Sequence, residues 1–344
     1  MSHKVTVQPS KHEFTVQEGQ SVLDGALASG IVLPYSCRDG ACSTCKGRVV
    51  SGNYDAGTHP AQILSPEELA QGYTLFCQAR PTSDLVIEAR EIRMASDIQI
   101  RKMPSRVMAL ERAAPDVMIM QLQLPAADPF MYYAGQYIEF ILKDGRRRSY
   151  SMATPPSPDN LVELHIRHLP GGAFTDHVFG EGGSQMKVRE ILRVEGPLGS
   201  FFLRDDSAKP IVFLASGTGF APIKAIIERM IAKNIQRPAV LYWGVRRPAD
   251  LYMNDKALEW AAGFPGLSYV PVVSDPLPAD DWGGRTGFVH QAVLDDISDL
   301  SGYQVYACGA PVMVNRARKD FTSLRGLPDD EFFADAFTSE ADLA

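Results

Sequence analysis

The spacing of hydrophobic positions changes several times along this chain. Near the N-terminus apolar residues alternate with polar ones: KVTVQP and HEFTVQEG read as the two strands of a hairpin, with Gly19 as a turn signal. SVLDGALASG then takes helical spacing, placing Val22, Leu23, Ala26 and Leu27 on one face before Gly30 ends it. SPEELAQG has the marks of a short capped helix: Ser65 as cap, Pro66 in the first turn, Glu68 three residues beyond the cap and Gly72 as the stop. DLVIEA reads as a closing strand. Residues 1–93 are therefore expected to form one small β-rich unit.

A polar stretch, REIRMASDIQIRKMPS, links this unit to the next and places a linker at 94–104, although its alternating Ile residues also suit an edge strand. From 105 to 205 short strand-like runs recur with Gly and Pro at the breaks: SRVMALERA, VMIMQLQL, YIEFILKDG, RSYSMAT, LVELHIRHL and MKVREILRVEGP. That rhythm predicts an antiparallel barrel or sandwich, interrupted by one short helix at FTDHVFGEG. Over 206–344 the order becomes strand, loop, helix: PIVFLAS runs into GTGFAPIKAIIERMIAK, and AVLYWG, LSYVPVVS, QVYACG and the helix APVMVNRARKDFTSL follow. Ile223, Ile226, Ile227, Met230 and Ile231 fit one helical face, and the alternation predicts a parallel sheet covered by helices.

A length of 344 residues supports two or three such units. The composition, 45% hydrophobic and 22% charged, is that of a globular protein, and no apolar run approaches the roughly 18 residues of a membrane span. MSHKVTVQPS lacks the basic stretch and apolar block of a signal peptide, so a cytoplasmic protein with no membrane association is expected. With 34 basic and 41 acidic residues the net charge is -7, which gives no broad positive field for nucleic acid. GRRRSY is a local basic cluster only.

The cysteines add specific chemistry. Of five, four lie in the first quarter: Cys37, Cys42, Cys45 and Cys77. An odd count in a chain of this kind argues against a disulfide framework. The spacing C-x4-C-x2-C with a distant fourth cysteine is the plant-type pattern for a 2Fe-2S cluster. Each iron takes two thiolates, and Gly40 with the small Ala41, Ser43 and Thr44 lets main-chain N–H groups approach the sulfides. A zinc site more often takes two short cysteine pairs, and only Cys42 and Cys45 make one.

PYSCRDGACSTCKG together with LFCQARP resembles the ferredoxin domain fused to flavin-dependent oxidoreductases of the ferredoxin reductase family. The resemblance implies a multidomain α+β and α/β protein: a β-grasp 2Fe-2S ferredoxin domain, an antiparallel β-barrel FAD-binding domain and a parallel-sheet α/β NAD(P)-binding domain. RRRSYSMA is similar to the family's R-x-Y-S flavin motif, which implies that Arg148 pairs with the FAD pyrophosphate while Tyr150 and Ser151 meet the ribityl chain and flavin ring. His165 and Arg167 lead into a glycine-rich element, IRHLPGGAFTDHVF, and are assigned to the same cofactor site. Gly171 and Gly172 allow a close turn near a phosphate, and Thr175 is expected to begin a helix whose N–H groups bind it.

LASGTGFAPIKAII sets Gly217, Thr218 and Gly219 between a strand and a helix, with Pro222 in the helix's first turn. Pro222 takes the place of the third glycine of G-x-G-x-x-G, and the motif resembles the family's G-T-G-x-A-P. YACGAPVMV resembles its C-G-x-P turn, which implies that Cys308 and Gly309 lie beside the nicotinamide. In YWGVRRPADLY, Asp250 suits a ribose 2'-hydroxyl, whereas Arg246 and Arg247 suit a 2'-phosphate. NADH is the favoured donor, with NADPH as the alternative. The tail EFFADAFTSEADLA resembles family members in which a C-terminal aromatic shields the flavin, which makes Phe337 that residue. Ser151, Cys308 and Phe337 are the residues expected at the reacting atoms, with Ser151 bonding near the flavin N5.

These resemblances cover nearly the whole chain and imply an NADH-dependent reductase that passes electrons from NADH to FAD to the 2Fe-2S cluster. The expected acceptor is the terminal oxygenase component of a Rieske-type aromatic-ring dioxygenase, met in a transient encounter near Arg38, Asp39 and Lys46. Reductases for deoxysugar dehydrases and for di-iron monooxygenases share the domain order. A non-catalytic redox-sensing iron–sulfur protein is the reading from another class.

Overall fold

The computed structural model describes residues 2–58, 63–90, 98–127, 129–181 and 183–338. Residues 94–97 of the expected linker, and the tail beyond 338, lie outside them. The chain divides into two compact units, Met1–Ala95 with Gly199–Phe201 and Ala334–Ala344, and Ser96–Leu198 with Phe202–Phe333. Among the described residues no helix is long and apolar enough to cross a membrane.

The first unit is built on a five-stranded sheet in the order Glu13–Gln17, Ser2–Gln8, Leu85–Glu88, Lys46–Ser51, Tyr73–Leu75. Ser2–Gln8 pairs antiparallel with Glu13–Gln17, as the alternating pattern predicts, and parallel with Leu85–Glu88. Val5, Val7 and Ile87 face a core completed by Val22, Leu23 and Ala26 of the helix Val22–Ala28. The helix lies so close that a Cβ on Gly25 would stand 2.6 Å from Val16 Cγ2. This is the β-grasp arrangement. Both bonds of the predicted capping box form at the helix Pro66–Ala70: Glu68 N donates to Ser65 Oγ at 3.1 Å, and Ser65 N donates to Glu68 Oε2 at 2.8 Å.

The second unit holds two sheets. One runs Arg147–Ser151, Tyr137–Ile141, Ile191–Leu198, Arg101–Ala114, Val117–Gln123, Leu161–Arg167, and every pairing in it is antiparallel. An antiparallel bridge between Met152 and Leu164, with Ala153 N donating to Glu163 O at 2.8 Å, joins the two outer strands and closes the sheet into a barrel. Val107, Met120, Leu122, Ile138, Phe140, Met152, Leu164 and Val194 fill its interior. The strand Arg101–Ala114 begins inside the segment read as linker, because the alternation of IQIRKMPS continues unbroken into SRVMALERA.

The other sheet runs Arg285–Thr286, Leu267–Val273, Ala239–Val245, Ile211–Ser216, Gln304–Gly309. Ile211–Ser216 pairs in parallel with both Ala239–Val245 and Gln304–Gly309, so the order reverses beside it. In such sheets the crevice at the carboxyl ends of the strands flanking that reversal is where ligands bind. The helix Phe220–Ala232 buries Ile223, Ile226, Ile227 and Met230 as its spacing predicts.

Candidate functional site

The cysteine loop lies between the helix Val22–Ala28 and the strand Lys46–Ser51. Arg38, Gly40 and Ser43 take positive φ of 65°, 83° and 55°, which turns the chain back on itself, and the N–H groups of Asp39 and Ala41 meet Cys37 while that of Thr44 meets Cys42. Asp39 N donates to Cys37 Sγ at 3.4 Å. Cys77 arrives on the turn after Tyr73–Leu75, and Gln78 ties the two segments together by donating from Nε2 to Arg38 O at 3.4 Å. Cys42, Cys45 and Cys77 are buried and Cys37 is half-buried.

The thiols meet in two pairs. Cys37 shares a hydrogen bond with Cys42: that bond, with burial, pushes the Cys37 thiol up, and the same bond, prevailing over burial, brings Cys42 down to about 6. Cys45 is pushed up chiefly by its bond to Cys77. Among the described residues no three His, Cys, Asp or Glu side chains converge on one ion-sized point. Four thiols sorted two and two fit a binuclear iron–sulfur cluster, in which each iron takes one pair, better than a single tetrahedral ion. Within the same unit, Ser36 Oγ donates to the buried Asp335, Thr44 Oγ1 to Ala334 O at 3.3 Å, and Tyr35 N to Ser200 Oγ at 2.9 Å. Nothing in the local sequence marks these three supports.

In the second unit the strand Arg147–Ser151 presents the R-x-Y-S residues. Arg146 is ion-paired with Asp144, and Arg147 with Glu139 and Glu195, while Arg148 donates to the Arg147 carbonyl at 2.8 Å. Tyr150 packs on Phe140 and Phe174 with ring centroids 5.8 and 5.5 Å apart, and burial pushes its phenol up. Ser151 is buried at the strand's end. These side chains supply the guanidinium, aromatic ring and hydroxyl that a flavin dinucleotide could use.

Other expected positions are arranged differently. The helix begins at Ala173, not Thr175, because Gly172 is the residue in extended conformation at its N-cap. The Thr175 hydroxyl donates to Leu169 O at 2.8 Å and so braces the turn from inside. Asp176, beside it, accepts from Gly171 N at 3.2 Å. Both ring nitrogens of His165 are occupied by protein: Nδ1 meets the Tyr252 hydroxyl at 2.9 Å and Nε2 meets Glu163 at 3.0 Å. Burial, partly opposed by Glu163, lowers the His165 pKa.

At the reversal of the parallel sheet the Gly217–Gly219 turn and the Cys308–Gly309 turn lie against each other with no room for side chains. A Cβ on Gly219 would fall 2.2 Å from Cys308 O, and one on Gly309 would fall 2.1 Å from Ser216 Oγ. Ser216 Oγ accepts from Ala310 N at 3.0 Å, and Trp243 Nε1 donates to Gly217 O at 3.0 Å. Cys308 is fully buried, opposite Ala215. Thr218 is buried in the turn, and Pro222 lies in the first turn of the helix that follows.

Beside this turn is a pocket of about 500 Å³ lined by Asp116, Arg167, Arg246, Arg247 and Asp250. That volume is in the range of small-molecule sites. The Arg167 guanidinium lies over Gly217, where an added Cβ would stand 2.7 Å from Nη1. Arg167 Nε lies 2.9 Å from Asp116 Oδ2, a charge pair off hydrogen-bond geometry, and both that Nε and the other Asp116 oxygen, Oδ1, are buried polar atoms without hydrogen-bond partners. Unsatisfied atoms on a pocket wall suit a polar ligand. Arg246 and Arg247 lie 3.5 and 3.1 Å from the Asp275 carboxylate, and Asp250 accepts from Arg247 N at 2.9 Å. Asp116 comes from the barrel turn between Arg101–Ala114 and Val117–Gln123, far from any nucleotide motif in the sequence. Phe337, half-buried, directly follows the strand Phe332–Ala336.

Residues 5–82 match the family model of the 2Fe-2S iron-sulfur cluster binding domain, 104–203 that of the oxidoreductase FAD-binding domain, and 213–319 that of the oxidoreductase NAD-binding domain. The chain is 43% identical over 339 residues to the CDP-6-deoxy-L-threo-D-glycero-4-hexulose-3-dehydrase reductase of Yersinia pseudotuberculosis, covering 98% of this chain and 99% of that one. It is 35% identical over 341 residues to reductase component 2 of the terephthalate 1,2-dioxygenase of Comamonas, covering 98% of each. Among solved structures, an Amycolatopsis cytochrome P-450 reductase superposes with a TM-score of 0.77 at 34% identity, over 98% of this chain and 99% of that one.

Proposed function

The chain belongs to the ferredoxin reductase family whose members join 2Fe-2S, FAD-binding and NAD-binding domains, and we propose that it supplies single electrons, drawn from NADH, to a separate acceptor protein. FAD when bound accepts a hydride and the 2Fe-2S cluster carries one electron at a time, so the flavin couples a pairwise donor to a one-electron carrier.

In this reading the domain limits are 1–93, 105–205 and 206–344. Cys37 with Cys42 and Cys45 with Cys77 hold the two irons. The loop amides of Asp39, Ala41 and Thr44 moderate the cluster's negative charge. Arg148 would hold the flavin diphosphate, Tyr150 and Ser151 would serve its ribityl chain and ring, and Phe337 would be the aromatic that shields it. The Gly217–Gly219 and Cys308–Gly309 turns would admit the dinucleotide main chain to main chain, with Arg167 at its phosphates and Asp250 at its ribose 2'-hydroxyl. No general acid or base is needed to move a hydride, and none is assigned.

The observation that carries this reading is the pairing of four thiols in the same chain as the Arg167-capped nucleotide pocket. The proposed acceptor is the terminal oxygenase component of an aromatic-ring dioxygenase, a reading supported by the Comamonas relative, which is named as a reductase component of terephthalate 1,2-dioxygenase. A sugar dehydrase is the second reading, favoured by the 43% identity to the Yersinia reductase. The test is anaerobic mixing of the purified protein with NADH, then with each acceptor. Flavin and iron–sulfur absorbances should both bleach, and the true acceptor should restore them fastest; a protein without visible absorbance would sink the reading.

A further inference from the structure

A buried polar chain that none of the motifs accounts for runs between the flavin strand and the nucleotide turn. Lys224, on the helix Phe220–Ala232, is only 4% exposed. Its ammonium donates to Ala153 O at 3.0 Å and pairs with Glu163 at 3.1 Å and Glu228 at 3.0 Å. Ala153 is two residues beyond Ser151, on the segment that closes the barrel. Glu163 also meets His165, and His165 meets Tyr252. Tyr252 stands edge-on to Trp243 at 5.2 Å, and Trp243 donates to the Gly217 carbonyl. A continuous set of contacts thus joins the end of the flavin motif to the first glycine of the nucleotide turn.

The chemistry of burial makes this link stiff. An ammonium out of water must keep its carboxylate and carbonyl partners, because any drift leaves a buried charge uncompensated. Glu228 lies one turn from Lys224 on the same helix, so that pair spans nothing. The bonds to Ala153 and Glu163 cross from the helix to the barrel, one to the segment just after Arg147–Ser151 and one to the strand Leu161–Arg167.

We propose that Lys224 is a positioning residue for hydride transfer: it fixes the strand end after Arg148–Ser151 against the helix after Gly217–Gly219, setting the approach of flavin ring and nicotinamide. The inference rests on the cofactor assignment above. The step served moves one hydride, two electrons with one proton, from NADH to FAD, oxidising the first and reducing the second, and asks no proton of Lys224.

The test uses the full-length protein with both cofactors in rapid-mixing experiments with NADH. Lys224→Met should keep its FAD and its half-saturating NADH concentration, yet lose about tenfold or more in the flavin reduction rate at saturation, since misplacement of reacting groups by about 1 Å can cost on the order of 100-fold and a smaller shift part of that. The long-wavelength charge-transfer absorbance of nicotinamide on flavin should weaken with it. Glu228→Gln, which removes only the pair within the helix, should lower the melting temperature but leave rate and absorbance as in the unmodified protein. Equal losses in the two variants, or an unchanged rate and band in Lys224→Met, would overturn the proposal. If Lys224→Met does not fold, Glu163→Gln carries the same test with the same two outcomes. Failure of the unmodified protein to bleach with NADH would instead overturn the cofactor reading, and this inference with it.

Discussion

Replacing Gly219 by alanine perturbs a single steric contact. Gly219 has φ -59° and ψ -11°, a conformation alanine adopts freely, so the backbone itself carries no penalty. The added Cβ would fall 2.2 Å from Cys308 O, 2.4 Å from Cys308 C and 2.7 Å from Gly309 Cα. All three are main-chain atoms, and no rotamer change relieves them. Carbon contacts are comfortable at about 3.5–4.0 Å, so the turn and the strand end must part by roughly 1 Å. Overpacking of this kind costs about 1–3 kcal/mol, and each kcal/mol lowers the melting temperature by about 2–4 °C in a unit of this size. The effect on turnover should be larger, because a displacement of about 1 Å at a reacting pair can cost on the order of 100-fold. The assay is steady-state NADH oxidation with ferricyanide, alongside FAD content, iron content and a thermal melt. We expect kcat/KM to fall about 100-fold with both cofactors retained. Gly217→Ala is the comparison, since its Cβ would meet only the tip of Arg167, although at φ +53°. If Gly219→Ala keeps the unmodified kcat/KM and melting temperature, close approach of the two turns is not what places the nicotinamide.

Three further outcomes are expected. Cys42→Ala should lose nearly all bound iron by elemental assay and reduction of cytochrome c with it, while NADH still bleaches the flavin. Arg167→Ala should raise the KM for NADH about tenfold, the loss of one charge-assisted phosphate contact, and change kcat much less; an unchanged KM would remove Arg167 from the pocket's work. Glu163 is held down to about 2, where bonds to His165 and the charge of Lys224 prevail over burial. A carboxyl with a depressed pKa adds stability that is present above its unfolded value, about 4.3, and is lost as pH falls toward the folded one. His165, lowered by burial, acts with the same sign as pH falls below about 6.5. Thermal melts across pH 7 to 3 should therefore fall less steeply in Glu163→Gln, and parallel curves would contradict the link.

The four proposed cluster thiols, which the structure brings together, were legible because their chemistry is written in local spacing: three must come from one tight loop, and only one fourth cysteine lies in the same domain. The hairpin, the Ser65–Glu68 capping box and the helix after Gly219 were legible for the same reason, since period and cap depend on residues a few positions apart. Barrel against sandwich was not, because closure rests on Met152 meeting Leu164 across a long connection. Asp116, Glu163 and Tyr252 escaped because tertiary folding alone brings them to the site. Lys224 did leave a trace, a lone cation inside the apolar run FAPIKAII, but only the fold shows which carboxylates receive it. His165 sits on the expected strand with its ring turned toward Tyr252, and alternation along a strand does not say which neighbour fills a given side.

The bridge between Met152 and Leu164 gives the flavin strand a second duty. Residues 148–151, read as the grip on FAD, lead directly into the rivet that shuts the cylinder, so ligand grip and cylinder integrity draw on the same few main-chain bonds. A cylinder shut in this way leaves no unpaired margin there for a neighbouring molecule to zip onto.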